Sequence, residues 1–158
     1  MTSTATVLGD LTMGYDIIIV GTGPAGLMTA ERTAMYGLKT LVLEKRAAVT
    51  DSLMGERVTD KALNFLRVKP DSEYIGNKFT SIVGESLDTG SRIVVNRTLL
   101  GNSYLFDEDK CQELMRDRAL ADGAEFRYKS RVKSVIREGN SVVGVTYNQD
   151  NEARTDLT

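Results

Sequence analysis

The chain has 158 residues, 41% of them hydrophobic and 27% charged, with a net charge of −2. This is the balance of one globular domain able to bury a sizeable core, and with no basic run it argues against a nucleic-acid partner. Histidine is absent and Cys111 is the single cysteine, which excludes zinc sites, Ser-His-Asp triads and disulfide frameworks and leaves no expected metal.

Residues 1–14 are rich in Thr, Gly and Ser and lack a basic start, so they read as a flexible leader rather than a signal peptide. No stretch approaches the roughly 18 apolar residues that suggest a membrane span. A lone thiol fits a reducing cytoplasm. Tyr15–Val20 is an almost wholly apolar run, as expected of a parallel strand covered on both faces. A helix is predicted from Pro24 to Tyr36, with Pro24 at its first position, Gly37 at its stop, and Leu27, Ala30 and Ala34 on one face. Leu38–Leu43 is the second strand.

The next stretch, Lys45–Val68, is mixed and polar, with a predicted helix at Thr59–Leu66. Two β-like runs, Phe79–Gly84 and Arg92–Val95, follow. Tyr104–Phe106 leads into a helix from Asp107, a suitable N-cap, to Asp122, with Gly123 at the stop. Cys111, Leu114, Met115 and Ala119 share its apolar face. Glu125–Tyr128 is a predicted strand. Val132–Ile136 and Val142–Tyr147 flank the turn Glu138-Gly139-Asn140 as a hairpin, and a further strand is due to start within Asn151–Thr158.

The chemistry concentrates in G-T-G-P-A-G, where Gly21, Gly23, Pro24, Ala25 and Gly26 lie between a predicted strand and a predicted helix. Gly21 permits the sharp turn, Gly23 lets backbone approach a pyrophosphate, and Gly26 lets the helix pack tightly on the sheet. The pyrophosphate then meets free N–H groups and the positive end of the helix dipole. Glu44 ends the second strand about 20 residues further on, where a carboxylate accepts hydrogen bonds from an adenosine ribose and repels a 2′-phosphate. Lys45 follows, facing solvent or the adenine edge. A ligand-free strand–helix turn is the bland alternative, and the agreement of strand, glycines, helix and Glu44 in register speaks against it.

A nicotinamide-binding domain continues with alternating helices and strands. Here about 80 residues separate Leu43 from the next predicted parallel strand, and a hairpin then replaces the next βα repeat. That organisation favours FAD. The expected fold is α/β: a Rossmann-like FAD-binding fold over residues 15–158, with a βαβ nucleotide unit and a β-meander, incomplete at its C-terminus. Strands of a substrate region start near residues 79–96.

On the glycine turn, Glu44-Lys45-Arg46, Gly55-Glu56 and the run Tyr104–Gly123, the chain resembles the N-terminal part of the geranylgeranyl reductases. These belong with the aromatic-ring hydroxylases in a larger flavoprotein group. The resemblance runs from about Tyr15 to Tyr147. It implies an FAD-dependent oxidoreductase that saturates C=C bonds of isoprenoid chains in prenyl lipid biosynthesis, with hydride from reduced flavin. The implied partners are a prenyl-chain or lipid substrate and an unspecified electron donor, with peripheral membrane contact compatible with the cytoplasmic reading. It also implies that Gly21, Gly23 and Gly26 hold the pyrophosphate, Glu44 the ribose, that Lys45 and Arg46 flank the adenosine, and that Gly55 and Glu56 lie in a loop near the flavin.

Three departures stand out. Met54 replaces a cysteine of the family, Ser103 replaces an arginine that contacts FAD, and the later segment that closes over the flavin is absent. The chain therefore matches roughly the first third to half of a family member, and no residue is assigned as catalytic. Cys111 and the six methionines read as core filling, although the methionines would also suit a prenyl channel. Two other functions share the nucleotide motif: an FAD-dependent aromatic monooxygenase and a truncated, non-catalytic dinucleotide-binding module.

Overall fold

A computed structural model describes residues 14–49, 56–96 and 101–155. The expectations for the leader before Gly14, for Met54 and Gly55, and for residues 156–158 lie outside the described residues. In chain order the elements begin β1 (Ile17–Val20), α1 (Pro24–Met35), β2 (Thr40–Leu43), β3 (Glu56–Thr59) and α2 (Asp60–Leu66). Next come β4 (Ile75–Phe79), β5 (Ser81–Glu85), β6 (Arg92–Asn96), β7 (Ser103–Phe106) and α3 (Glu108–Ala121). The chain ends with β8 (Glu125–Arg127), β9 (Val132–Glu138), β10 (Ser141–Tyr147) and β11 (Asn151–Arg154). They form two compact units, Met1–Ala47 with Ala119–Thr158, and Ala48–Arg118.

The first unit is built on a parallel sheet in the order β1-β2-β8. Side chains alternate across a strand, so β2 sends Val42 to one face and Leu41 and Leu43 to the other. Val42 and Ile19 pack with Ala30 and Ala34 of α1 and with Ala119 and Ala124. Leu41 and Leu43 pack with Val145, Tyr147 and Ala153 of the antiparallel meander β11-β10-β9. All four residues of β2 are buried as a result, and each large apolar side chain so covered contributes about 1.5–3 kcal/mol. The strand expected to start after Asn151 is β11, and the two-residue turn Gly139-Asn140 joins strands longer than the sequence pattern suggests.

Both long helices end as the sequence predicts. Gly37 adopts φ +79° and Gly123 φ +96°. Gly37 and Leu38 N–H donate to Ala34 and Thr33 carbonyls, and Gly123 and Ala124 N–H to Leu120 and Ala119 carbonyls, satisfying groups a helix end leaves unpaired.

The second unit holds an antiparallel sheet, β3-β7-β4, and a separate pair, β5-β6. Leu63, Val68, Tyr104, Phe106 and Cys111 form its core. The Thr59 hydroxyl accepts from Ala62 N–H at 3.3 Å and caps α2. Two expectations need correction here. Glu56 is in strand β3 rather than a loop, followed there by Arg57, and the two pair with Phe106 and Leu105 of β7. The run starting at Phe79 is two strands, with β4 ending at Phe79 and β5 beginning at Ser81. Both were hidden because short strands rich in polar residues carry no alternation that identifies them.

Candidate functional site

The backbone leaves β1 through Gly21, whose φ of +97° is a conformation that side chains disfavour. Gly21 N–H donates to the Leu43 carbonyl at 2.8 Å, tying the turn to the end of β2. A Cβ on Gly26 would stand 2.2 Å from the Gly21 carbonyl oxygen, so the start of α1 approaches the turn as closely as glycine allows. Among the described residues, a Cβ on Gly21 or Gly23 would meet nothing within 4 Å. Those residues leave space beside the N-terminus of α1. Gly23 is its N-cap, Pro24 is at the first position, no side chain caps it and no acidic residue occupies its first turn. Such an end attracts anions through free N–H groups and the helix dipole.

Glu44 follows β2 and is buried. Its Oε2 accepts from Thr22 N–H at 2.9 Å and from the Thr22 hydroxyl at 2.7 Å. Its Oε1 accepts from Arg46 N–H at 2.7 Å and from Arg46 Nε at 3.4 Å. Burial pulls its pKa upward, but the bonds from Arg46 N–H and the Thr22 hydroxyl and N–H, with the Arg46 charge, outweigh that and hold it down at about 2. The carboxylate is thus charged at neutral pH and set in a rigid cage.

A cleft of about 240 Å³ opens beside it, lined by Val20, Gly21, Leu43, Glu44 and Lys45 on one side and by Ser130, Arg131 and Val132 on the other. Its volume falls below the roughly 300–1,000 Å³ usual for a whole drug-sized ligand, which suits one part of a long cofactor. Ser130 N–H donates to the Glu44 carbonyl at 2.7 Å and Lys129 N–H to the Arg46 carbonyl at 2.9 Å. These bonds hold the second wall against the first. Sequence reasoning missed Thr22 and the wall Ser130–Val132. Thr22 stands at a free position of the glycine pattern, and the wall reaches Glu44 only through β8 and the meander.

A polar network fixes that meander. Arg127 donates from Nε to Glu125 at 2.7 Å, from Nη1 to the Tyr147 hydroxyl at 2.8 Å and from Nη2 to the Tyr15 hydroxyl at 2.8 Å. Tyr15 in turn donates to Glu125 at 2.6 Å. Burial and then the Glu125 hydrogen bond and charge, with a smaller push from Tyr147, raise the Tyr15 pKa to about 12, against the pull of Arg127.

The structure brings together Gly21, Gly23, Pro24, Ala25, Gly26, Glu44, Lys45 and Arg46 in the first unit. Glu56 belongs to the second unit. At the position of the expected arginine, the buried Ser103 accepts from Arg57 Nη1 at 2.9 Å. A guanidinium from the adjacent strand β3 thus reaches this position. Cys111 is buried, and burial with the Asp107 charge, against the pull of Arg118, raises its thiol to about 12, so it is no nucleophile at neutral pH. Among the described residues no group of three His, Cys, Asp or Glu side chains could hold a metal ion, and no helix is long and apolar enough to cross a membrane.

Comparison with known proteins adds a family to this geometry. The model of the FAD binding domain matches residues 14–158. A digeranylgeranylglycerophospholipid reductase of Thermoplasma acidophilum is 34% identical over 87% of this chain and 36% of its own length. Its counterpart in Picrophilus torridus is 32% identical over 89% of this chain and 36% of its own. A solved geranylgeranyl bacteriochlorophyll reductase-like protein of Thermoplasma acidophilum superimposes with a TM-score of 0.73 at 29% identity, covering 91% of this chain and 38% of that one. The chain spans about 36% of the length of these curated relatives. The resemblance to the geranylgeranyl reductases read from the sequence, and the N-terminal extent of that resemblance, are borne out.

Proposed function

The chain belongs to the FAD binding domain family, and from that premise we propose that it is the nucleotide-holding part of an FAD-dependent oxidoreductase. Its substrate is a lipid bearing geranylgeranyl chains, whose C=C bonds it reduces. The cofactor is FAD. The observation that carries the reading in this chain is the charged, buried Glu44 in a cleft that Gly21 also lines, at the start of the glycine turn that leads to the uncapped N-terminus of α1. Two curated relatives named digeranylgeranylglycerophospholipid reductase support the substrate class.

In this reading the N–H groups at Ala25 and Gly26 and the open glycine turn receive the pyrophosphate, as a helix N-terminus free of acidic side chains is suited to do. Glu44 accepts from the ribose. Lys45 and Arg131, from opposite walls, border the adenosine, and Val132 and Leu43 give it apolar contact. For Gly55 and Glu56 the family resemblance implies a place near the flavin. When bound and reduced, FAD supplies hydride to the double bond. The residues of this chain bind and orient, and none of them is assigned a proton transfer. Contact with a membrane is peripheral, made where a lipid substrate enters.

Titrating the chain with FAD and following flavin fluorescence tests the first half: quenching is expected, and Glu44→Ala should weaken it. A protein containing this chain together with the remaining length of its relatives tests the second half. Given dithionite-reduced flavin and digeranylgeranylglycerophospholipid, it should add two hydrogens per double bond by mass spectrometry. No lipid reduction, with NAD(P)H oxidation stimulated by an aromatic acid, would replace the reductase reading by the monooxygenase one.

A further inference from the structure

An ionised carboxylate offers about four lone-pair positions, two on each oxygen. The chain fills all of those of Glu44 by itself: Thr22 N–H and hydroxyl on Oε2, Arg46 N–H and Nε on Oε1. The Glu44 side chain is only 4% exposed, and each of these positions already has its donor. A ribose hydroxyl that donates to Glu44 must therefore displace one of these four groups.

The four are not equally replaceable. The Thr22 N–H is fixed by the glycine turn, and the Arg46 N–H by the backbone that continues from β2. The Thr22 hydroxyl is close, at 2.7 Å, and the residue is fully buried, so a displaced hydroxyl has no water to turn to. Arg46 Nε stands at 3.4 Å, beyond the usual 2.7–3.2 Å for such a bond. Its side chain is 33% exposed, so the guanidinium can leave for solvent with its hydrogen bonds remade.

We propose that Arg46 is a specificity-determining residue that competes with the cofactor ribose for Glu44 Oε1, while the Thr22 hydroxyl confines the ribose to that oxygen. This deepens the nucleotide reading above and rests on it. Each hydroxyl bond gained is offset by the Arg46 bond lost, so the chain distinguishes ribose from its deoxy form less sharply than a free carboxylate would. Arg46 is then a competitor at the ribose position rather than an added contact to adenosine.

Calorimetric titration of the chain with ADP and with 2′,3′-dideoxy-ADP tests this, on the wild type and on Arg46→Ala, with circular dichroism confirming that the variant is folded. Removing a cation weakens both anionic ligands alike, so the readout is the ratio of the two affinities. That ratio is expected to rise about three- to tenfold in Arg46→Ala, the value of one hydrogen bond no longer lost on binding. In the wild type the Arg46 Nε–H resonance should shift with ADP and stay in place with the dideoxy nucleotide. An unchanged or lower ratio, or equal shifts with the two ligands, overturns the proposal and leaves the nucleotide site standing. A wild-type chain that binds neither nucleotide overturns both.

Discussion

Strand β2 and the pair β5–β6 are built from similar residues and meet opposite fates. Thr-Leu-Val-Leu in β2 is buried throughout, whereas Ser-Ile-Val-Gly-Glu in β5 is exposed throughout. Ile93 and Val94 of β6 are 68% and 55% exposed. The difference lies in neighbours. β2 has a parallel partner on each edge and a layer on each face, α1 on one and the meander on the other. Among the described residues β5 pairs with β6 alone, and a pair of strands by itself has little to hold it. A strand held from both sides ends at a defined point, and Glu44 stands at that point. The candidate site lies where the layers meet.

Substitutions can break this contrast, and the largest effect is expected at Gly26. Alanine there puts a Cβ 2.2 Å from a backbone oxygen, and such overpacking should cost roughly 3 kcal/mol or more in urea unfolding and abolish FAD binding. Gly84→Ala in β5, where a Cβ meets nothing within 4 Å, should leave stability within about 0.5 kcal/mol. Equal losses at the two glycines would end the comparison.

Glu44 gives the next effect, and it depends on pH. Its folded pKa of about 2 lies below its ordinary 4.5, so its stabilisation is fully present above pH 4.5 and is lost as pH falls towards 2. Wild type should exceed Glu44→Gln by about 3 kcal/mol near pH 7. The gap should close in that acid window, and a gap independent of pH would show that the charge is not what matters.

Arg127→Met removes three hydrogen bonds, two that tie β8 to Tyr15 and Tyr147 and one within the strand to Glu125. Its side chain is 38% exposed, so solvent screening limits the expected loss to about 1–2 kcal/mol. Tyr147→Phe in that background should add little, which a double-mutant cycle would read as coupling. The smallest effect is expected from Ile93→Thr in β6, within about 0.5 kcal/mol. A loss of 2 kcal/mol or more there would mean that the exposed strand pair contributes to the folded core after all.

Much of the candidate site was legible because its signals are local. Gly21, Gly23 and Gly26 mark a turn by their spacing, Pro24 and Gly37 mark helix ends, and Glu44 marks the end of an apolar strand. The strands β3 and β4 were not legible, since Glu-Arg-Val-Thr and Ile-Gly-Asn-Lys-Phe become strands by pairing with β7. Nothing in either segment announces that partner.

By itself, then, the sequence determined the βαβ unit, its glycine turn, the charged residue after the second strand and the family to which these belong. Each follows from backbone sterics and from periodicity over a few neighbouring residues. Only the tertiary structure decided that Ser130–Val132 would form the second wall of the cleft, that Arg57 would reach Ser103, and that Thr22 and Arg46 would between them occupy every acceptor position of Glu44. Those contacts join residues whose approach depends on how sheet, helix and meander pack. A hydrogen bond is fixed by the distance and angle between its two groups, and sequence spacing specifies neither.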